Sequence, residues 1–348
     1  MCCSTLTTKG GMVSVVKNYL SSSFWKEHQI IYIPTHFDTN KYLLILYFGI
    51  AYLRVLLFTL FSHYQVVHLH TSERGSFWRK SLLLNTLKAF GKKTILHHHG
   101  AEFDLFFQRC SAKQQSKIIR TLEQADLNIV LSQRLVNMIK EKAPKAKVAV
   151  LYNSVNTYPS IPYNQKAKNI LFLGRLGQRK GTYDLLKSIS QLDNQLDKDI
   201  HFYLCGDGDI QGVQQAVSDM HLSHRIAHIG WIDGEQKKQI LQNTMLNVLP
   251  SYNEGLPMTI LETMSYGIPN ISTNIASIPE VIKPGINGLL IKPGDIDALT
   301  ASILQLVSNE SLRFSFSKAS YQLITSEFSL DAKIEQLESL YNQFEQAK

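Results

Sequence analysis

Cysteine is scarce in this chain of 348 residues: Cys2, Cys3, Cys110 and Cys205 form no C-x-x-C pair and show no zinc-ligand spacing. That excludes a disulfide scaffold and fits a reducing compartment. Charge is sparse too. Only 18% of residues are Asp, Glu, Lys or Arg, while 44% are hydrophobic, so the chain can build a packed core and is not disordered. No G-x-G-x-x-G opens either half, which counts against a dinucleotide oxidoreductase. The first thirty residues lack an apolar run with a cleavage site, so no signal peptide is expected.

The charge that is present is uneven. Residues 1–155 hold 20 Lys/Arg against 8 Asp/Glu, and residues 156–348 hold 16 against 20. A basic first half suits an anionic partner such as an anionic lipid, a phosphorylated acceptor or a nucleic acid. With no dense Lys/Arg cluster and no nucleic-acid motif, nucleic acid is the disfavoured choice. Residues 42–61 (YLLILYFGIAYLRVLLFTLF) are long enough to span a bilayer, with Arg54 the single charge. Strand-like runs on both sides argue against spanning, because a spanning helix would separate strands that must share a sheet. The segment reads as a crossover helix, either buried in its domain or resting on a membrane surface.

Short apolar runs alternate with longer helical stretches, the pattern of parallel sheets covered on both faces. In the first half the strand candidates are 29–34, 65–70, 93–98, 127–131 and 148–151, with helices over 41–61, 76–90, 113–124 and 133–142. Residues 157–168 contain two prolines and no apolar period, and read as a linker. The rhythm restarts with strands at 169–174, 201–206, 226–230, 246–250, 270–273 and 288–291, and helices near 182–192, 210–220, 235–243, 257–267 and 295–307. The expected fold class is α/β, with two Rossmann-like domains at 1–156 and 169–325. A C-terminal helix over 326–348 is expected to pack back on the first domain. The glycine loop TTKGG follows only six residues, so the first strand is either very short, within residues 2–6, or preceded by residues that this chain does not carry.

In open parallel sheets, ligands collect outside the carboxyl ends of the strands. Four strands deliver candidates there. NILFLG leads into Arg175, Lys180 and Gly181. HFYLCG leads into Asp207, IAHIG into Trp231, and LNVLP into SYNEGLP. Arg175 and Lys180 suit a diphosphate, one as a planar fork and one as a point charge. Either alone reads as a solvated charge; the GR-x4-KG spacing ahead of a helix favours phosphate. In EGLPMTILE, Gly255 permits close approach of the backbone, and Pro257 suits a first helical turn whose free amides favour an anion. Glu254 in the loop and Glu262 just over one turn into the helix can flank one ligand, and carboxylates accept sugar or ribose hydroxyls well.

These residues resemble the nucleotide-binding half of retaining glycosyltransferase family four, which has the GT-B fold of two facing Rossmann-like domains with parallel sheets and an inter-domain cleft. The likeness rests on FLGRL…KG, CGDGD, HIGWID, PSYNEGLPMTILETMSYGIP, SIPEVI and NGLLIKPGD, in order over residues 169–300. The first half matches more loosely through Gly10-Gly11, HLHTS, LHHHG and LYNSVN. In that last run Ser154 stands where the family usually has glycine. RGSFWRKS resembles members that assemble bacterial surface polysaccharides.

The resemblance implies that Arg175 and Lys180 hold the donor diphosphate, Glu254 the hydroxyls of the transferred sugar and Glu262 the ribose. It places the amides of Gly255 and Leu256 against sugar and phosphate. Gly206, Asp207, Gly230 and Trp231 would approach the base and nucleotide. From the first domain, Gly11 would lie near the diphosphate and His99 near the sugar, with His97 and His98 as rivals. It implies a retaining, metal-independent transferase with no cofactor, a nucleotide-sugar donor with UDP favoured, and a saccharide or lipid-linked acceptor. The location implied is cytoplasmic, peripheral on the inner face of the membrane. On a strand His97 and His99 share a face, but no partner motif for a metal is evident. Asp207-Gly208-Asp209 sits in a turn and is not read as a metal motif. A nucleotide-sugar epimerase on the same fold is the nearest rival; it would need no acceptor.

Overall fold

The computed structural model describes residues 1–8 and 10–345. The chain divides into two compact units, Met1–Ser154 together with the chain from Leu330 onward, and Val155–Ser329. Each holds one six-stranded sheet in which every pairing is parallel.

In the first unit the strands are β1 (Cys2–Cys3), β2 (Ile33–Pro34), β3 (Val66–Thr71), β4 (Lys93–His98), β5 (Leu127–Val130) and β6 (Val148–Val150), in the order β2-β1-β3-β4-β5-β6. Central strands such as KTILHH are buried from their second residue onward, because helices cover both faces of a parallel sheet. The strand candidate at 29–34 shrinks to two residues. Gln29 takes a positive φ of 46°, and the Ile30 amide still bonds back to the Trp25 carbonyl, so the preceding helix claims the front of that run. β1 likewise stops at Cys3, since the chain turns at Thr5 and Thr8. Helices Gly11–Ser21, Ser23–Glu27 and Phe103–Gln108 were not in the sequence reading.

The apolar helix Lys41–Phe61 is long and apolar enough to cross a membrane. Yet β2 before it and β3 after it both pair with β1, so it connects strands of one sheet. It is not a buried helix: only Ala51, Val55 and Thr59 are buried, while Leu46 and Phe61 are 63% and 80% exposed. The last helix, Leu330–Glu345, belongs to this unit. Leu337 and Tyr341 are buried, and Gln336 donates to the Val150 carbonyl.

The second unit contains β7 (Asn169–Leu173), β8 (His201–Cys205), β9 (Ile226–Gly230), β10 (Thr244–Leu249), β11 (Asn270–Thr273) and β12 (Gly288–Ile291), in the order β12-β11-β10-β7-β8-β9. This is the doubly wound dinucleotide-fold order, and it reverses between β7 and β10. The stretch 157–168 lies against this unit, where Tyr158 donates to the Tyr266 hydroxyl and Tyr163 to the Met245 carbonyl.

Lys80 is fully buried in the first unit. Its ammonium donates to Thr35 Oγ1 at 2.5 Å, and Thr35 donates on to the Cys3 carbonyl, tying the short strands β1 and β2 to the helix Gly75–Ala89. Burial lowers its pKa from the ordinary 10.5 to about 8. Between those values the unfolded chain binds more protons, so stability rises with pH there. Lys80→Met should therefore be more stable than the parent at pH 7, by up to about 3 kcal/mol. The gap should narrow as pH rises toward 10.5. Urea unfolding across that range reads it, and a gap that stays constant would show that the buried charge carries no penalty.

Candidate functional site

The reversal between β7 and β10 leaves a space outside their carboxyl ends that no crossover covers. The chain leaving β7 is Gly174-Arg175…Lys180-Gly181, and the chain leaving β10 is Pro250…Glu254. They meet. Lys180 Nζ donates to Glu254 Oε1 in a short ion pair, and Ser251 Oγ donates to the same oxygen at 2.7 Å. Both side chains are largely withdrawn from water, Lys180 at 13% and Glu254 at 6% exposure.

Backbone contacts fix this junction. Gly181 takes a left-handed φ of 74°, and a Cβ there would lie 2.1 Å from the Pro250 carbonyl oxygen. Only glycine lets the start of helix Thr182–Leu192 lie so close to the end of β10. On the other side of β7, a Cβ on Gly206 would lie 1.9 Å from the Gly174 carbonyl oxygen. The amides of Gly174 and Gly206 run on as ladder bonds to Cys205 and Gly230, which brings the loops after β7, β8 and β9 into one row.

Arg175 stands at the edge of that row, 65% exposed, with its guanidinium 3.9 Å from the Asp207 carboxylate. Asp209 is committed elsewhere: it caps helix Ile210–Asp219 through the Gly212 amide and accepts from the Tyr183 hydroxyl. Gly230 ends β9, and Trp231 follows it, half exposed. Leu256 is buried; Gly255 lies beside it in the bend between β10 and helix Met258–Ser265. Pro257 occupies the N-cap position of that helix, not its first turn, and supplies no side-chain cap. Glu262 lies on the helix and forms a short ion pair with Lys237. Sequence reasoning passed over Lys237, which lies in an ordinary helix, GEQKKQILQ, with nothing in its pattern to mark it. Ser251 lies in the same run as Glu254, and only its hydrogen bond to that carboxylate marks it.

Gly11 and His99 belong to the first unit. Gly11 begins an eleven-residue helix whose N-cap, Gly10, offers no side chain to its amides. Of the three consecutive histidines, His97 and His98 are buried and His99 is half-buried. His98 faces Asn128, its Nε2 3.2 Å from Oδ1. His99 Nε2 lies 2.8 Å from His70 Nδ1, and burial pushes its pKa down to about 3. The parallel register of β3 and β4 sets His70 beside His97. His68, His70 and His97 thereby bring their ligand atoms within 4.8 Å of one another. The candidate metal-ligand partners of His97 thus come from the neighbouring strand β3, which the pattern of one strand does not show. Nearby, Arg74, Trp78, Glu102, Phe106 and Arg109 line a depression in the first unit, with an Arg74–Glu102 ion pair of 2.9 Å at its edge.

Two family models together match most of the chain: glycosyltransferase family 4 over residues 5–158 and glycosyl transferases group 1 over residues 158–323. The lipopolysaccharide 1,6-galactosyltransferase of Salmonella typhimurium is 30% identical over 222 residues, 61% of this chain and 60% of that one. A UDP-Gal:alpha-D-GlcNAc-diphosphoundecaprenol alpha-1,3-galactosyltransferase of Escherichia coli is 26% identical over 306 residues, 80% of this chain and 75% of that one. The chain thus spans only about 60% of the length of the first of these relatives. Among solved structures, Anabaena HepE in complex with UDP superposes with a TM-score of 0.75 at 15% identity, over 98% of both chains. That likeness shows the GT-B fold.

The Lys180–Glu254 pair yields a test that needs no ligand. Removing one member of a largely buried pair strands the other charge, at a typical cost of about 3–5 kcal/mol. Glu254→Ala and Lys180→Ala should each destabilise the second unit, and the double variant should lose clearly less than their sum. A coupling of at least about 1 kcal/mol in a urea-unfolding cycle is expected. Additive losses would mean that the pair does not hold in solution.

Proposed function

The chain belongs to the GT-B glycosyltransferases of family four, and on that premise we propose that it moves a sugar from UDP to a lipid-linked saccharide with retention of anomeric configuration. The observation that carries the reading is the meeting of Lys180 and Glu254 at the strand-order reversal of the second unit. A diphosphate arriving there competes for the Lys180 ammonium. Glu254, still held by Ser251, then has a free oxygen for hydroxyls of the transferred sugar. Arg175 supplies a second cation to the leaving diphosphate, and the uncapped start of helix Met258–Ser265 supplies amides. Glu262 serves the ribose once Lys237 yields. The acceptor hydroxyl attacks the anomeric carbon on the face from which the diphosphate departs, and its proton passes to the leaving phosphate oxygen. No metal is required for this step, because Arg175 and Lys180 carry the compensating charge.

UDP as the donor nucleotide is supported by the donor in the name of the Escherichia coli relative and by the UDP bound to the structural neighbour. The same relative's name contains a diphosphoundecaprenol acceptor, which supports a lipid-linked one here and a role in surface-polysaccharide assembly. The depression edged by Arg74 and Arg109 is the place offered to an anionic acceptor. The exposed apolar side of helix Lys41–Phe61, together with the basic first half, supports attachment to the cytoplasmic face of an anionic membrane.

Two measurements test these readings. UDP should raise the unfolding temperature of the purified chain more than GDP or ADP does. Glu262→Ala and Lys180→Ala should each abolish that nucleotide-dependent rise, whatever their own baseline. A rise that survives both substitutions would remove the donor site from this junction. For the membrane, the chain should float with anionic vesicles and not with neutral ones. Leu46→Glu with Leu53→Glu should end flotation while leaving the UDP response intact. Equal flotation with both lipids, or with the double variant, would reject the apolar helix as the anchor.

A further inference from the structure

We propose that the first unit holds a divalent transition-metal ion, zinc by its chemistry, in a buried site made by His68 and His70 of β3 and His97 of β4. The proposal does not rest on the transfer reaction. Three features of the geometry converge. The ligand atoms of the three imidazoles lie within 4.8 Å of one another, and tetrahedral zinc with Zn–N bonds of about 2.0–2.1 Å needs nitrogens roughly 3.3 Å apart. His68 Nε2 and His97 Nδ1 are already 3.1 Å apart.

The outer atoms are arranged as metal-bound imidazoles require. A ligating histidine uses its second ring nitrogen to bond an orienting group. His68 Nδ1 lies 2.7 Å from the Tyr341 hydroxyl, and His70 Nδ1 lies 2.8 Å from His99 Nε2. His70 Nε2 is thereby left for an ion, and the contact between His68 Nε2 and His97 Nδ1 would become shared coordination.

The third feature is an unmet need. His70 Nε2 and His97 Nε2 are buried and have no hydrogen-bond partner, although His70 is 0% and His97 1% exposed. Leaving a buried polar atom unpaired is costly; coordination would satisfy His70 Nε2, with His97 ligating through the Nδ1 that already faces His68. All-imidazole donors select zinc, copper or nickel over magnesium or calcium. Because the site is closed to water, the ion must enter as the unit folds.

The test uses the full chain without an affinity tag, unfolded, stripped of metal by chelator, and refolded with or without zinc chloride. Refolding with zinc should give about one zinc per chain by elemental analysis, together with a higher yield and a higher unfolding midpoint. Refolding with cobalt(II) should give the visible absorption bands of a nitrogen-ligated ion. His70→Gln and His97→Gln should lose both zinc and bands, while His63→Gln, an exposed residue outside the cluster, should keep them. Wild-type chain that refolds equally well without zinc, and that shows no stoichiometric zinc and no cobalt bands, overturns the proposal. So does zinc that remains bound at full stoichiometry in both cluster variants. The wild-type measurements decide even if a variant fails to fold. UDP-dependent stabilisation, which reads the second unit, fails or succeeds independently.

Discussion

The pairing of β7 with β10 is the constraint on which the second unit depends. These strands are 70 residues apart in the chain, yet they lie side by side with Asn247 opposite Leu171. Two crossovers run outward from that pair in opposite directions, one through β8 and β9, the other through β11 and β12. Only at their shared edge can the loops after two adjacent strands approach without a helix between them. Lys180 and Glu254 therefore meet because of topology, and their proximity needs no local sequence relation. Gly181 and Gly206 then make the meeting tight, since any side chain at either would collide with a neighbouring carbonyl.

The sequence revealed elements far better than partners. Helix Lys41–Phe61 and strands such as Lys93–His98 and Asn270–Thr273 were legible because one strong period or one apolar run defines each. The two-residue strands β1 and β2 were not, because their extent is set by turns at Thr5 and Gln29 and not by apolar pattern. Arg175, Lys180, Glu254 and Glu262 could be picked out by residue type and spacing. That Lys180 bonds Glu254, and that Lys237 bonds Glu262, could not. Those contacts join segments 74 and 25 residues apart, and no periodicity carries such information.

Helix Lys41–Phe61 shows a different kind of ambiguity. Composition alone permits three fates for it: crossing a bilayer, filling a core or lying on a surface. The sheet decides against crossing, since β2 and β3 both flank β1. Packing decides against the core: Ala51, Val55 and Thr59 are buried and Phe48, Tyr52 and Phe58 pack against the domain, but the other side of the helix stays exposed. An exposed run holding Ile45, Leu46, Ile50 and Leu53 is larger than scattered surface hydrophobes require, and such patches mark contact surfaces.

The histidines follow the same logic as the Lys180–Glu254 pair, seen inside a sheet instead of at its edge. Alternate residues of one strand share a face, and a parallel neighbour in register doubles the set. His68 and His70 on β3 thus join His97 on β4, with the ring planes of His68 and His70 only 4° apart. Read one strand at a time, H-x-H and H-H-H are two unrelated motifs, and neither contains enough ligands. Register turns them into one cluster, and the Tyr341 hydroxyl of the returning last helix closes it. A core position that holds several imidazoles gives up the packing that leucine or valine would supply. Hydrogen bonding within the cluster offsets part of that loss, but it leaves His70 Nε2 unpaired, and an ion held with His68 Nε2 and His97 Nδ1 would satisfy it.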